Sequence, residues 1–201
     1  MKHDIHIHIP PGADEETVRA YGFAAEMLDC DLYGFVVHHG QSTSAYLRYL
    51  DSILSTYSIS YLLGWEVRVS RLFRSGELIL AHPEGIVDAE VARKLVKCAV
   101  DVLAHPFSYG AHIHGSAVEV LAAGEVAVEV NGAHPGDFHR GRYLKLSESG
   151  VSLVFGSDAH SPGEMGSGWE IYESLRARFR LREKGRVFVR DAGKVLSRTE
   201  P

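Results

Sequence analysis

Seven short apolar runs, each ending at or within three residues of a histidine, aspartate or glutamate, do most to narrow the folds open to this 201-residue chain. They are Ile5 to Ile9, Leu32 to Val37, Ile59 to Val67, Leu78 to Ala81, Val100 to Ala104, Val126 to Val130 and Val151 to Phe155. Near-continuous Val/Ile/Leu runs of this length predict strands buried on both faces. Amphipathic segments near 15–29, 42–56, 87–98, 114–123, 138–149 and 169–183 read as helices. Only the third and fourth runs are joined by a short link, which holds Arg71, Arg74 and Gly76. Strand–helix alternation predicts an α/β chain with a parallel sheet covered by helices.

Such a sheet is either open or closed. A dinucleotide-binding sheet carries G-x-G-x-x-G after its first strand, but here Ile9 leads into Pro10-Pro11-Gly12, and no Walker A lysine loop is present. Seven runs of similar length, each leading into a polar loop, predict instead a distorted (β/α)7, TIM-like barrel in one domain over residues 1–201. A composition 45% hydrophobic and 23% charged excludes a disordered or fibrous chain. The net charge of −5 disfavours stable nucleic-acid binding, which needs a dense basic face. No run approaches the roughly 18 apolar residues of a membrane span. The start, MKHDIHIHIPP, lacks the basic-then-apolar layout of a secretory leader. Cys30 and Cys98 lie in apolar sequence and read as core thiols, so a reducing, cytoplasmic setting is expected.

Twelve histidines are a heavy load, and their placement is informative. His6 and His8 are two apart on the first run, so a strand turns them to one face. Later runs close on Val37-His38-His39, Gly64-Trp65-Glu66, Ala81-His82-Pro83, Ala104-His105-Pro106, Glu129-Val130-Asn131 and Gly156-Ser157-Asp158-Ala159-His160. Ile79-Leu80-Ala81-His82-Pro83 is echoed 23 positions on by Val102-Leu103-Ala104-His105-Pro106, the spacing of one strand–helix unit. In a parallel barrel all these ends share the C-terminal rim, where such folds keep their chemistry. Ionisable groups gathered there must be paired or metal-bound, and imidazole with carboxylate is the ligand set of zinc, manganese and iron. A lone histidine at a strand end is more often a satisfied structural residue than a ligand. That explanation does not stretch to His6, His8, one of His38 and His39, Glu66, His82, His105, Asp158 and His160 together, with Asp14 in the first loop completing the set. Nine candidates exceed what one or two tetrahedral sites need, which points to three divalent transition-metal ions.

These segments, in this order from residue 4 to residue 160, resemble the PHP family, named for its polymerase and histidinol phosphatase members. The matching stretches are Asp4-Ile5-His6-Ile7-His8, Val37-His38-His39-Gly40, Gly64-Trp65-Glu66, His82-Pro83, His105-Pro106, Glu129-Val130-Asn131 and Gly156 to His160. The resemblance implies a distorted (β/α)7 barrel whose trinuclear centre hydrolyses phosphate esters with a metal-bridging hydroxide. It implies His6, His8, Glu66 and Asp158 on one metal. Glu66, His82 and His105 would hold a second, and Asp14, His39 and His160 a third. Two departures stand out. The family's second motif usually reads Thr-Asp-His, so His39 aligns as the ligand and the role of His38 is open; Ile9-Pro10-Pro11 replaces the usual Ser/Thr-rich stretch. A phosphate-clamping arginine falls first to Arg140, ahead of Arg142, Arg68 and Arg71. The implied catalytic group is then Glu66, Asp158, His160 and Arg140. Glu129 and Asn131 would orient ligands, and His134 or His139 would protonate a leaving group.

The expected function is hydrolysis of a small phosphate ester, histidinol-phosphatase-like, with a nuclease or nucleotide phosphodiesterase as runner-up. A non-catalytic RNA-binding barrel like the protein subunit of archaeal ribonuclease P should show eroded ligand positions and a basic surface. An amidohydrolase or TatD-type barrel also begins with H-x-H, but does not supply Gly-Ser-Asp-Ala-His together with a second-strand histidine. Of the remainder, His3, His112 and His114 read as surface or rim residues, Trp65 and Phe107 as core or pocket wall, and Gly163 to Gly168 as a flexible rim. Arg176, Arg178, Arg180, Arg182 and Lys184 read as the solvated end of the last helix.

Overall fold

The computed structural model describes residues 2–175 and, in the tail, the backbone of three strands. Its elements follow the runs: β1 (His3–His8), α1 (Glu15–Leu28), β2 (Leu32–His38), α2 (Ser44–Leu54), β3 (Tyr61–Arg68), β4 (Leu78–His82), β5 (Ile86–Val87), α3 (Ala89–Lys97), β6 (Val102–Leu103), β7 (His112–Ile113), α4 (Gly115–Ala123), β8 (Ala127–Asn131), α5 (Arg140–Glu148), β9 (Leu153–Gly156) and α6 (Trp169–Glu173). Seven strands pair in parallel in the order β1-β2-β3-β4-β6-β8-β9, while β5 and β7 form a separate two-stranded ribbon.

The sheet curls until its last strand meets its first. Ile7 bridges Ala159 in parallel, and the His8 N–H donates to the Ala159 carbonyl at 2.7 Å. Side chains continue this seam: the Phe155 N–H donates to His3 Nε2 (2.9 Å) and the Ser157 N–H to Asp4 Oδ1 (2.8 Å). The fold is a distorted, TIM-like α/β barrel. His3 is thus no surface residue; it is fully buried, edge-on to Trp169 and Tyr172. Asp4 also accepts from the Gly166 N–H (2.8 Å), which clasps the 163–168 segment to the seam. Gly168, at φ +83°, approaches Gly132 so closely that a Cβ would stand 2.7 Å from its Cα, so the segment is packed against the barrel.

Apolar side chains fill both faces of the sheet. Tyr33, Phe35, Val37, Ile79, Leu103, Val128 and Phe155 pack outward with Tyr21, Leu50, Leu95 and Leu121 of the helices. Ile5, Val36, Leu62, Leu80, Val102 and Val154 form a distinct inner cluster that fills the barrel. Helix starts are fixed by side-chain caps: Asp14 accepts from the Thr17 N–H, Thr43 from Tyr46 and Asp88 from Glu90 and Val91.

The last helix is shorter than its expected span of 169–183. It stops at Glu173, and Arg180–Glu183 is β10, antiparallel to β11 (Arg186–Asp191), which pairs with β12 (Lys194–Thr199). Arg180-Leu181-Arg182 alternates with the period of a strand, not of a helix. The side chains of Arg176, Arg178, Arg180, Arg182 and Lys184 lie outside the described residues. Cys30 and Cys98 are free and half-buried. Among the described residues no helix is long and apolar enough to cross a membrane.

Candidate metal centre

The two-residue strand period builds the site. Residues sharing an inner column are Leu32, Gly34, Val36 and His38 on β2; Leu62, Gly64 and Glu66 on β3; Leu78, Leu80 and His82 on β4. On β8 the column is Ala127, Glu129 and Asn131, and past β9 it runs Val154, Gly156 and Asp158. Each begins in the apolar filling and ends in a polar group at the C-terminal rim. Two strands break the period. The β1–β2 register slips between Asp4 and Ile7, which lets Ile5 join the inner filling while His6 and His8 still face the rim cluster. After Ala104, strict alternation would turn His105 outward, but its left-handed backbone (φ 24°) swings it in; Asp158 is left-handed too (φ 55°).

Donor atoms converge from six strand ends. His6 Nε2 and His8 Nε2 are 2.9 Å apart, and Asp158 Oδ1 lies 3.5 Å from the first and 3.3 Å from the second. A second triangle joins Glu66 Oε1 to His105 Nε2 (3.1 Å) and His82 Nδ1 (3.6 Å), with His82 and His105 3.3 Å apart. Two donors on one tetrahedral metal at about 2.0–2.1 Å stand about 3.3–3.4 Å apart. The triangles have this size, so these residues fit divalent ions. His8, His38 and His160 form a further group, with donor atoms within 4.8 Å of one another, and His6, Glu66 and His105 another. Glu66 touches four imidazoles besides His105: His6, His8, His38 and His82.

Outer partners hold the donors in place. Glu129 is fully buried; its Oε1 meets His6 Nδ1 at 2.7 Å, which leaves Nε2 facing the cluster. Its Oε2 accepts from the His105 N–H (2.5 Å) and the Asn131 amide (3.2 Å), and Asn131 also reaches Asp158 Oδ2 (3.4 Å). Gly156 makes room: a Cβ there would fall on the Glu129 carboxylate. Charge follows this packing. Burial works against a charged His6, yet Glu129, Asp158 and Glu66 outweigh it and raise its pKa to about 10. Burial lowers His8 to about 4, assisted by His6 and against its hydrogen bond to Asp158. Glu66 and Asp158 would rise with burial, but the surrounding imidazoles hold both below the usual carboxylate range. The His6 and His8 ring nitrogens that face each other here are 2.9 Å apart.

Not every expected residue arrives. His38, not His39, turns inward and contacts Glu66 at 2.8 Å; His39 is exposed, its ring 4.5 Å from that of Phe73. The family alignment chose His39, but the column of Leu32 and Val36 carries even numbers. Asp14 is an exposed helix cap whose Oδ1 accepts from the Thr17 N–H, and among the described residues it belongs to no donor group. Arg140 is exposed at the start of α5. Among the described residues Arg68 and Arg71 stand beside the donors, lining a cavity of about 540 Å³ with His38, His39, Glu66 and His82. His134 comes within 3.8 Å of Asp158, while His139 is the exposed residue preceding α5. Of the other aromatics, Trp65 is buried in the core and Phe107 packs edge-on to Tyr143. Tyr109, which no sequence pattern marks, stands beside His82, His105 and His134.

No family model and no curated protein matches the chain. Solved structures do. A chain in the cryo-EM structure of archaeal ribonuclease P with mature tRNA aligns over 86% of this chain and 81% of that one, with a TM-score of 0.62 at 17% identity. The YdjI aldolase from Escherichia coli K12 aligns over 77% of this chain and 74% of that one, with a TM-score of 0.45 at 12% identity. At 17% identity the first likeness is one of fold.

Proposed function

We propose that this chain is a metal-dependent phosphoesterase of the PHP type, acting on a small phosphate ester. The observation that carries the reading is the pair of donor triangles at the barrel rim, sized for shared divalent ions and opening beside two arginines. His6, His8 and Asp158 would hold one ion and Glu66, His82 and His105 a second, with His38 and His160 left as donors for a more exposed third. Bound zinc, manganese or iron would lower the pKa of water and offset charge on phosphoryl oxygens. The protein's own part is positional. Glu129 and Asn131 lock His6, His105 and Asp158 before a substrate arrives, so little reorganisation is needed during reaction. Arg68 and Arg71, which line the cavity, would take the charged end of the ester in place of the exposed Arg140.

Elemental analysis of purified protein, run beside a screen of phosphomonoesters and phosphodiesters, tests this. About three equivalents of transition metal with chelator-sensitive turnover is the expected result; a metal-free, chelator-insensitive protein would overturn it.

A second reading has one observation in its favour, the fold likeness to a chain of an RNA-containing assembly. It makes this barrel an RNA-associated subunit. The acidic balance and the assembled donors weigh against it. RNA binding that survives in His105→Ala, with no phosphoesterase activity in the parent protein, would favour it.

A further inference from the structure

We propose that Tyr109 is a specificity-determining residue: a stacking surface for a planar ring in the leaving group, so that the site prefers aryl or nucleobase-bearing phosphates to alkyl ones. This rests on the phosphoester reading of the same site. Tyr109 is 77% exposed, more than any other large hydrophobic residue among those described. It sits in the turn after β6, four residues beyond His105, with a left-handed backbone (φ 54°) followed by Gly110 at φ 80°. A bulky side chain rarely adopts that conformation, and strain of this kind gathers at functional sites. Burial does not repay it, because the ring is in solvent.

What the turn achieves is placement. The Tyr109 ring centroid lies 6.1 Å from that of His82, 6.1 Å from that of His105 and 5.2 Å from that of His134. Its hydroxyl meets His134 Nε2 at 3.3 Å, which fixes the ring's tilt. Aromatic rings stack or meet edge to face with centroids about 4.5–7 Å apart. A flat group on Tyr109 would therefore sit within a few bonds of a phosphate bound to an ion on His82, His105 and Glu66. His82, the neighbour of the Tyr109 ring, also lines the cavity with Arg68 and Arg71. Stacking recognises a π-face rather than a hydrogen-bond pattern, so the class selected is flat rings in general.

The test uses metal-reconstituted full-length protein. Calorimetry compares adenosine 5′-monophosphate with glycerol 3-phosphate, and steady-state kinetics compares benzyl phosphate with glycerol 3-phosphate, both of which release an alkyl-type alcohol. Tyr109→Phe keeps the ring; Tyr109→Asn removes it while suiting the left-handed turn, so the fold is spared. The wild type and the Phe variant are expected to favour the ring-bearing ligand about tenfold or more, and the Asn variant to lose most of that preference, the size of one stacked ring. Equal binding of the two ligands by the wild type, binding of neither, or an undiminished preference in Tyr109→Asn would overturn the proposal. Ring-selective binding without turnover of any ester supports this assignment and removes the phosphoesterase reading. Turnover without ring selectivity does the reverse.

Discussion

The two ends of the barrel interior are built by the same strands and obey opposite chemistry. At the lower end Ile5, Val36, Leu62, Leu80, Val102 and Val154 fill space and need only one another. A few residues further along, six imidazoles and the carboxylates of Glu66 and Asp158 crowd together, and the imidazoles hold both carboxylates below their ordinary range. Burying ionisable groups so densely is costly unless opposite charges or a cation share the space. The lower layer therefore carries the fold, and the upper layer spends part of that stability on a prepared site. If the division is real, the two layers should fail separately.

The largest separation is expected from His6→Ala, which removes a donor from two groups at once. Metal content should fall by at least one equivalent and ester turnover by about a thousandfold or more, since a bound ion contributes several kcal/mol to transition-state stabilisation. The metal-free variant should melt below the metal-free wild type, because the buried Glu129 carboxylate loses its 2.7 Å partner. The same comparison with His82→Ala, whose ring is partly exposed, should show little change, and a large fall in Tm there would mean that the upper layer also carries the fold. Leu80→Ala is the converse. Leu80 is fully buried, so truncation should cost about 2–5 kcal/mol, a Tm drop of roughly 5–15 °C for a chain of this length. Metal stoichiometry should be unchanged in whatever remains folded.

A smaller effect sharpens the boundary on β2. His38→Ala should weaken one metal position about tenfold or more, as losing a contact to Glu66 removes both a donor and an anchor. His39→Ala should leave metal titration unaltered, because that ring rests on Phe73. The opposite pattern would restore the family alignment.

These positions also show where the sequence could be read and where it could not. The strand period made His82, Glu66 and Glu129 legible, and the His-Pro echo placed His82 and His105 on paired strands β4 and β6. Period alone could not choose between His38 and His39. Leu32 to Val37 is apolar on both faces, so nothing in the run marks which parity points inward. The register slip in β1 and the left-handed turns at His105 and Asp158 leave no composition signature, since none of the three uses glycine. The burial of His3 was hidden for a related reason: it closes a seam with β9, 150 residues away, that only the finished barrel contains. Asp14 was misplaced because a carboxylate just before a helix serves equally well as ligand or cap.

Asp14 gives the smallest effect, and a decisive one for the edge of the site. Its Oδ1 accepts the Thr17 N–H at 2.8 Å, and the hydrogen bonds from Thr17 hold its carboxyl below its ordinary value of 3.8. A carboxylate whose folded pKa is depressed stabilises above its unfolded value, and that contribution fades as pH falls through the folded one. Asp14→Ala should therefore lower Tm by about 2–4 °C near neutral pH, and the gap to wild type should narrow as pH falls below the ordinary value of 3.8. Asp14→Asn retains a capping oxygen without the charge, so its Tm should stay near wild type at neutral pH. Both variants should bind as much metal as the parent. A lost equivalent in Asp14→Asn, with helix α1 intact by circular dichroism, would move the boundary of the upper layer outward and make this loop part of the site.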